Sequence, residues 1–96
     1  MDVTDLINIK AGEILFKKGD YNSALKYLLD VDSHSKTVQN SPIYYGILCA
    51  DIANIYFIKN EDKKAIAYYE KALPAFADYK AKYVAPSSED NSLLNR

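Results

Sequence analysis

Gly12-Glu13-Ile14-Leu15-Phe16-Lys17-Lys18-Gly19-Asp20-Tyr21-Asn22-Ser23-Ala24-Leu25-Lys26-Tyr27-Leu28 is a stretch whose pattern returns later in the chain. Small Gly12, large Leu15, the breaker Gly19-Asp20, small Ala24 and large Leu28 recur as Ala53, Tyr56, Asn60-Glu61, Ala65 and Tyr69, each 41 positions after its counterpart. A period of roughly 20 to 50 residues marks stacked supersecondary units, and such stacks usually offer a binding surface. The small residues are expected where two antiparallel helices of one unit pass closest, with the large ones filling the space beside each crossing.

The segments around the repeat read as helices. Thr4 or Asp2 caps a first helix to about Lys18, in which Leu6, Ile7, Ala11, Ile14 and Leu15 recur at spacings of three and four. Asp20 caps a second, from Tyr21 to Asp32, with Ala24, Leu25, Leu28, Leu29 and Val31 on its apolar face. Ser33-His34-Ser35-Lys36-Thr37 reads as a frayed end or loop. Ser41-Pro42 opens a third helix to about Lys59, proline being suited to the first helical position. A fourth runs from Asp62 to Leu73, and Pro74 is expected to terminate or kink it. Phe76, Tyr79, Ala81 and Tyr83 then fit a capping helix over about 75–85, closed by Pro86.

The chain of 96 residues supports one domain, and with 49% hydrophobic residues, three glycines and three prolines it reads as folded. Twelve basic and thirteen acidic residues, with like charges adjacent only in pairs, give no surface for tracking phosphates, so nucleic acid is not an expected partner. Met1 to Lys10 lacks the pattern of a secretory leader, and no apolar run approaches the roughly 18 residues of a membrane span. The lone Cys49 excludes an internal disulfide and fits a reducing compartment. The expected setting is the cytoplasm, away from membranes.

The motif Gly12, Leu15, Gly19, Asp20, Tyr21, Ala24, Leu28, followed by Ala53, Tyr56, Ala65, Tyr69, Ala72 and Leu73, resembles a pair of tetratricopeptide repeats from Ile9 to Leu73. The spacing exceeds the family's period of about 34 residues, which places an insertion or helix extension between Asp32 and Ile47. The resemblance implies that the first helix of each unit lines a concave groove for an extended or helical peptide. By alignment the groove positions are Ile9, Glu13, Phe16 and Lys17 from the first unit and Ala50, Asn54, Phe57 and Ile58 from the second. Phe16 and Phe57 serve either as apolar anchors in the groove or as core residues against a neighbouring helix. Asn54 can hold a peptide backbone, because its amide both donates and accepts. Chaperone-binding relatives clamp a carboxylate with lysines, but Ile9 and Ala50 stand at positions where a clamp lysine is expected, so no such clamp is read here.

The remaining chemistry is sparse. His34 has no base-nucleophile arrangement with Ser33 and Ser35, and Asp30, Asp32 and His34 have no fixed metal-binding frame. Cys49 reads as a small buried hydrophobe. Gly12, Gly19 and Gly46 do not form a phosphate loop. Gly46 offers another chain a close approach, with Tyr44 and Tyr45 beside it either as interface residues or as one core and one exposed ring.

The reading is therefore an all-α array of antiparallel helical hairpins, repeat 1 at about 5–32 and repeat 2 at about 42–73, within a domain of residues 1–86 followed by a polar tail, 87–96. Its expected function is non-catalytic protein or peptide binding, with no cofactor and no metal. A homo-oligomerisation or scaffold module, as a homodimer, is the alternative, and a small phosphotransfer or enzymatic bundle using His34 lies further off. Leu93 and Leu94 in the tail are expected to dock into the groove of the same or a neighbouring chain.

Overall fold

The computed structural model describes residues 3–83. The Asp2 cap, the end of the capping segment at Ala85 and Pro86, and the 87–96 tail with Leu93 and Leu94 lie outside the described residues. Five helices follow one another: α1 (Val3–Lys17), α2 (Tyr21–His34), α3 (Lys36–Gln39), α4 (Pro42–Ile58) and α5 (Asp62–Tyr83). The protein is all-α, as the periodicity indicates.

The two long hairpins close through the same turn. At the end of α1 the Gly19 amide donates to the Phe16 carbonyl at 3.0 Å and the Asp20 amide to Leu15 at 2.9 Å. At the end of α4 the Asn60 amide donates to Phe57 at 3.0 Å and the Glu61 amide to Tyr56 at 2.8 Å. Both pairs are the six-to-one and five-to-two bonds of a Schellman turn, which needs a left-handed residue just past the helix. Gly19 (φ 81°) and Asn60 (φ 63°) supply it. Asp20 then caps α2, its carboxylate accepting from the Ser23 amide at 3.4 Å.

Small residues set the helix approach. A Cβ on Gly12 would stand 2.6 Å from Leu28 Cδ2, so only glycine lets α1 lie this close to α2. A Cβ on Gly46 would meet the Phe76 ring at 2.7 Å, so α5 makes the corresponding close approach to α4. Contacts run in opposite order along each pair, Asp5 with Ser35 and Gly12 with Leu28, then Asn54 with Tyr69 and Gly46 with Phe76. Each hairpin is thus antiparallel, and α4 packs against α1, α2 and α3 to stack one hairpin on the other. Leu28, Val31, Val38, Leu48, Cys49, Ile52 and Ile55 form the fully buried centre. Lys59 Nζ donates to Asn22 Oδ1, tying the second turn to the start of α2.

Two sequence expectations change. Ser33-His34-Ser35-Lys36-Thr37 is not a loop: Ser33 and His34 complete α2, and Lys36 and Thr37 belong to the short α3. Ser35 ends one helix and begins the next. Its amide donates to Val31 at 2.9 Å while its Oγ accepts from the Val38 amide at 3.2 Å. Val38 is thereby delivered to the core, where it earns the turn that this polar stretch conceals. The second change is at Pro74, which neither ends α5 nor separates a capping helix. The 22-residue α5 runs through it. Ala72 before the proline is buried, and Phe76 after it rests on Gly46 of α4, so the helix is packed on both sides of the proline. The covering role expected of residues 75–85 is carried by this second half of α5 over the start of α4. Ser41 sits at the N-cap position of α4 with Pro42 behind it, but its side chain makes no capping bond.

Candidate functional site

The predicted groove residues lie on α1 and α4, the first helices of the two hairpins, and not all of them reach the surface. Ile9, at 3% exposure, belongs to the core and presents nothing to a peptide. Phe16 is half-buried against the same core, its ring edge-on to Tyr21 at 5.7 Å. Glu13 and Ala50 are half-buried and Lys17 is exposed. Phe57 is 63% exposed and Ile58 43%. The two phenylalanines thus divide: Phe16 packs, and Phe57 stands in solvent.

Asn54 is exposed, and its Oδ1 accepts from the Tyr69 hydroxyl of α5. That bond fixes the amide plane and turns the NH2 into the group available for a peptide carbonyl. Residues that the sequence reading did not select complete the seam between α1 and α4. Asp51 is the only charged residue in α4, and its Oδ2 is buried without a hydrogen-bond partner among the described residues. Burial, followed by the negative charge of Glu13 across the seam, pushes the Asp51 carboxyl up to about 7, with Lys10 pulling the other way. Lys10 Nζ lies 3.4 Å from Glu13 Oε1. A lone acid inside an apolar helix was the available sequence signal for this seam.

The expected Tyr44, Tyr45 and Gly46 interface is largely occupied by the chain itself. Phe76 fills the space over Gly46, so the close approach there is made by α5 and not by another molecule. Tyr45 is half-buried, and burial, helped by a bond with Cys49, pushes its hydroxyl up to about 12. Tyr44 alone of the three remains exposed. Cys49 is buried, as expected, and burial raises its thiol, which keeps it protonated and unreactive.

His34 enters a polar clasp at the far end of the first hairpin. Ser35 Oγ donates to Asp5 Oδ2 at 2.6 Å, and His34 Nε2 lies 3.2 Å from Asp5 Oδ1. Asp5 and Ser35 are buried. The carboxylate sits between serine and histidine, whereas a nucleophilic triad needs the histidine in the middle. The clasp joins the start of α1 to the α2–α3 junction. Asp32 is drawn elsewhere, accepting from the Tyr68 hydroxyl at 3.1 Å, and no group of metal-binding residues occurs among the described residues.

Residues 48–75, from the middle of α4 through the first half of α5, match the family model of the tetratricopeptide repeat. Over that span the chain is similar to a tetratricopeptide repeat. The matched span contains the small and large positions Ala53, Tyr56, Ala65, Tyr69 and Ala72, and within this repeat Ala53, Ala65 and Ala72 are buried at the α4–α5 crossing. The first hairpin shows the same turn geometry as the repeat. No curated protein and no solved structure matches the chain. No helix among the described residues is long and apolar enough to cross a membrane.

Proposed function

We propose that the chain is a non-catalytic peptide- or protein-binding module whose contact face runs from Lys17 and Glu13 on α1 to Asn54, Phe57 and Ile58 on α4. The observation that carries this reading is Phe57, a large aromatic side chain 63% exposed on the first helix of the tetratricopeptide repeat, with Ile58 next to it. Stranding that much apolar surface in water is unfavourable at roughly 25 cal/mol per Å², and a partner's apolar side chain removes the penalty. Asn54, held by Tyr69, adds a donor for the partner's backbone, and Lys17 adds a positive charge at the first hairpin. The lone buried thiol of Cys49 accords with a cytoplasmic setting.

The reading is tested by selecting binders from a random peptide library on the immobilised full chain. The expected result is a shared apolar residue among the enriched peptides, with binding weakened at least tenfold by Phe57→Glu and several-fold by Asn54→Ala. Enriched peptides that bind Phe57→Glu as well as the natural chain would place the contact face elsewhere.

A further inference from the structure

One face of α5 lies outside the core and touches the proposed peptide face only where Tyr69 bonds to Asn54. Asp62, Ile66, Tyr69, Leu73, Phe76 and Lys80 follow one another at intervals of four, three, four, three and four residues. That alternation keeps all six on a single stripe of an α-helix and is the spacing of a seam between two packed helices. The stripe is about 27 Å long. Ile66 is 58% exposed and Leu73 69%, so the two aliphatic side chains at its centre have no cover. The two aromatic members are half anchored: Tyr69 bonds to Asn54 and the Phe76 ring rests on Gly46. Side chains immobilised before association lose less entropy on binding.

The charges at the two ends specify the occupant. The stripe begins with an acid and ends with a base, and among the described residues neither Asp62 nor Lys80 forms an ion pair. A second α5 laid antiparallel on the first sets Asp62 against Lys80 at both ends, Ile66 against Phe76 and Tyr69 against Leu73, so all six positions meet a complementary partner. A parallel arrangement sets acid on acid and base on base. We infer that α5 is a self-association surface, on which a second copy of the chain packs its own α5 antiparallel about a twofold axis midway along the stripe. An interface of this kind is self-complementary and closes at two subunits. It leaves Phe57 and Ile58 on α4 outside the seam.

The test is sedimentation equilibrium of the full chain over a concentration series, with helicity followed by circular dichroism. The natural chain is expected to show a reversible monomer–dimer equilibrium. Leu73→Glu weakens it at least tenfold with helicity unchanged, and Phe57→Glu leaves it unaltered, which separates this surface from the peptide face. Asp62→Lys and Lys80→Asp each weaken it, since each puts like charges at both ends. Mixing those two variants restores a dimer, because every end then carries one acid and one base. The inference is overturned if the natural chain is monomeric at its highest soluble concentration, or if its dimer survives Leu73→Glu. A mixture of the two charge variants that gains nothing over either alone also overturns it, as does a ladder of growing oligomers, the product of end-to-end stacking.

Discussion

Gly19 and Asn60 hold the same left-handed backbone conformation at the same point of two successive hairpins, and each directs the next helix back along the one before it. The equivalence is conformational, since one residue has no side chain and the other has a short amide. Nothing lies within 4 Å of a Cβ built on Gly19, so any cost of a side chain there is purely backbone strain. Gly19→Ala should therefore destabilise the protein by about 1 kcal/mol, the left-handed penalty partly offset by the stiffer unfolded chain. Asn60→Ala should cost a similar amount, while Asn60→Gly should change stability by no more than about 0.5 kcal/mol. Urea denaturation of the three variants measures this. Equal stability of Gly19→Ala and the natural chain would mean the turn is not held left-handed.

Gly12 and Gly46 look alike in the sequence but differ in what stands over them. The Leu28 side chain facing Gly12 is fully buried and backed by the core, so it cannot retreat. Gly12→Ala should cost about 1–2 kcal/mol, the overpacking strain less the gain in helix propensity. Phe76 over Gly46 is 36% exposed and can swing outward. Gly46→Ala should then alter stability by less than about 1 kcal/mol while loosening Phe76. Thermal unfolding ranks the pair, and the order reverses if the α4–α5 crossing is the less forgiving of the two.

Pro74 costs α5 a backbone hydrogen bond to the carbonyl of Glu70 and crowds that carbonyl. The helix continues only because α4 packs on both sides of the break. Pro74→Ala should stabilise the protein by about 1–3 kcal/mol, a rise of several degrees in melting temperature for a chain of this size. A fall in melting temperature would mean that the proline ring makes packing contacts worth more than the missing bond.

Pro74 also marks where sequence reasoning stops. The hairpins, their turns and the small-residue crossings were legible because each is a local rule repeated twice: a breaker, a cap and a small residue at helical spacing. Whether a proline ends a helix depends instead on what packs beside it, here Gly46 and Phe76, which are 30 residues apart. The same limit applies to the site. Alignment puts Phe16 and Phe57 in equivalent groove positions, yet Phe16 packs against the core while Phe57 is exposed, and Ile9, placed in the same groove, is buried in the core. Ser35 was read as part of a polar loop because its partner Asp5 is 30 residues away.

Protonation of His34 should tighten the clasp at the base of α1 and α2. Desolvation opposes the charged ring, but the backbone carbonyl and carboxylate of Asp30, then the Asp5 carboxylate, outweigh it and raise the imidazole above its ordinary value. A raised folded value means that the stabilisation is fully present below about pH 6.5 and is lost as pH rises through the folded pKa. His34→Gln should therefore lower the melting temperature near pH 5.5 and leave it almost unchanged near pH 8.5. A uniform loss across that range would show that the ring acts by packing and not by charge. Two-dimensional NMR titration of the single histidine reads the pKa directly.

Asp51 gives a pH dependence centred on the proposed site. Its carboxyl titrates near 3.8 when unfolded and near 7 in the folded chain, so between those values the folded state holds a proton that the unfolded state has released. Stability must then fall as pH rises from about 4 to about 7, with the cost fully present above it. Because water reaches part of the seam and screens the Glu13 charge, the difference is on the order of 1 kcal/mol. Asp51→Asn keeps the shape, offers an amide donor to Glu13 and removes the titration. It should be more stable than the natural chain at pH 8, while the gap narrows toward pH 4. The same substitution should loosen nothing at Phe57, six residues further along α4, so peptide binding at pH 8 should persist. Parallel stability curves for Asp51→Asn and the natural chain between pH 4 and 8 would show that Asp51 is ionised throughout, and that the α1–α4 seam holds a full negative charge.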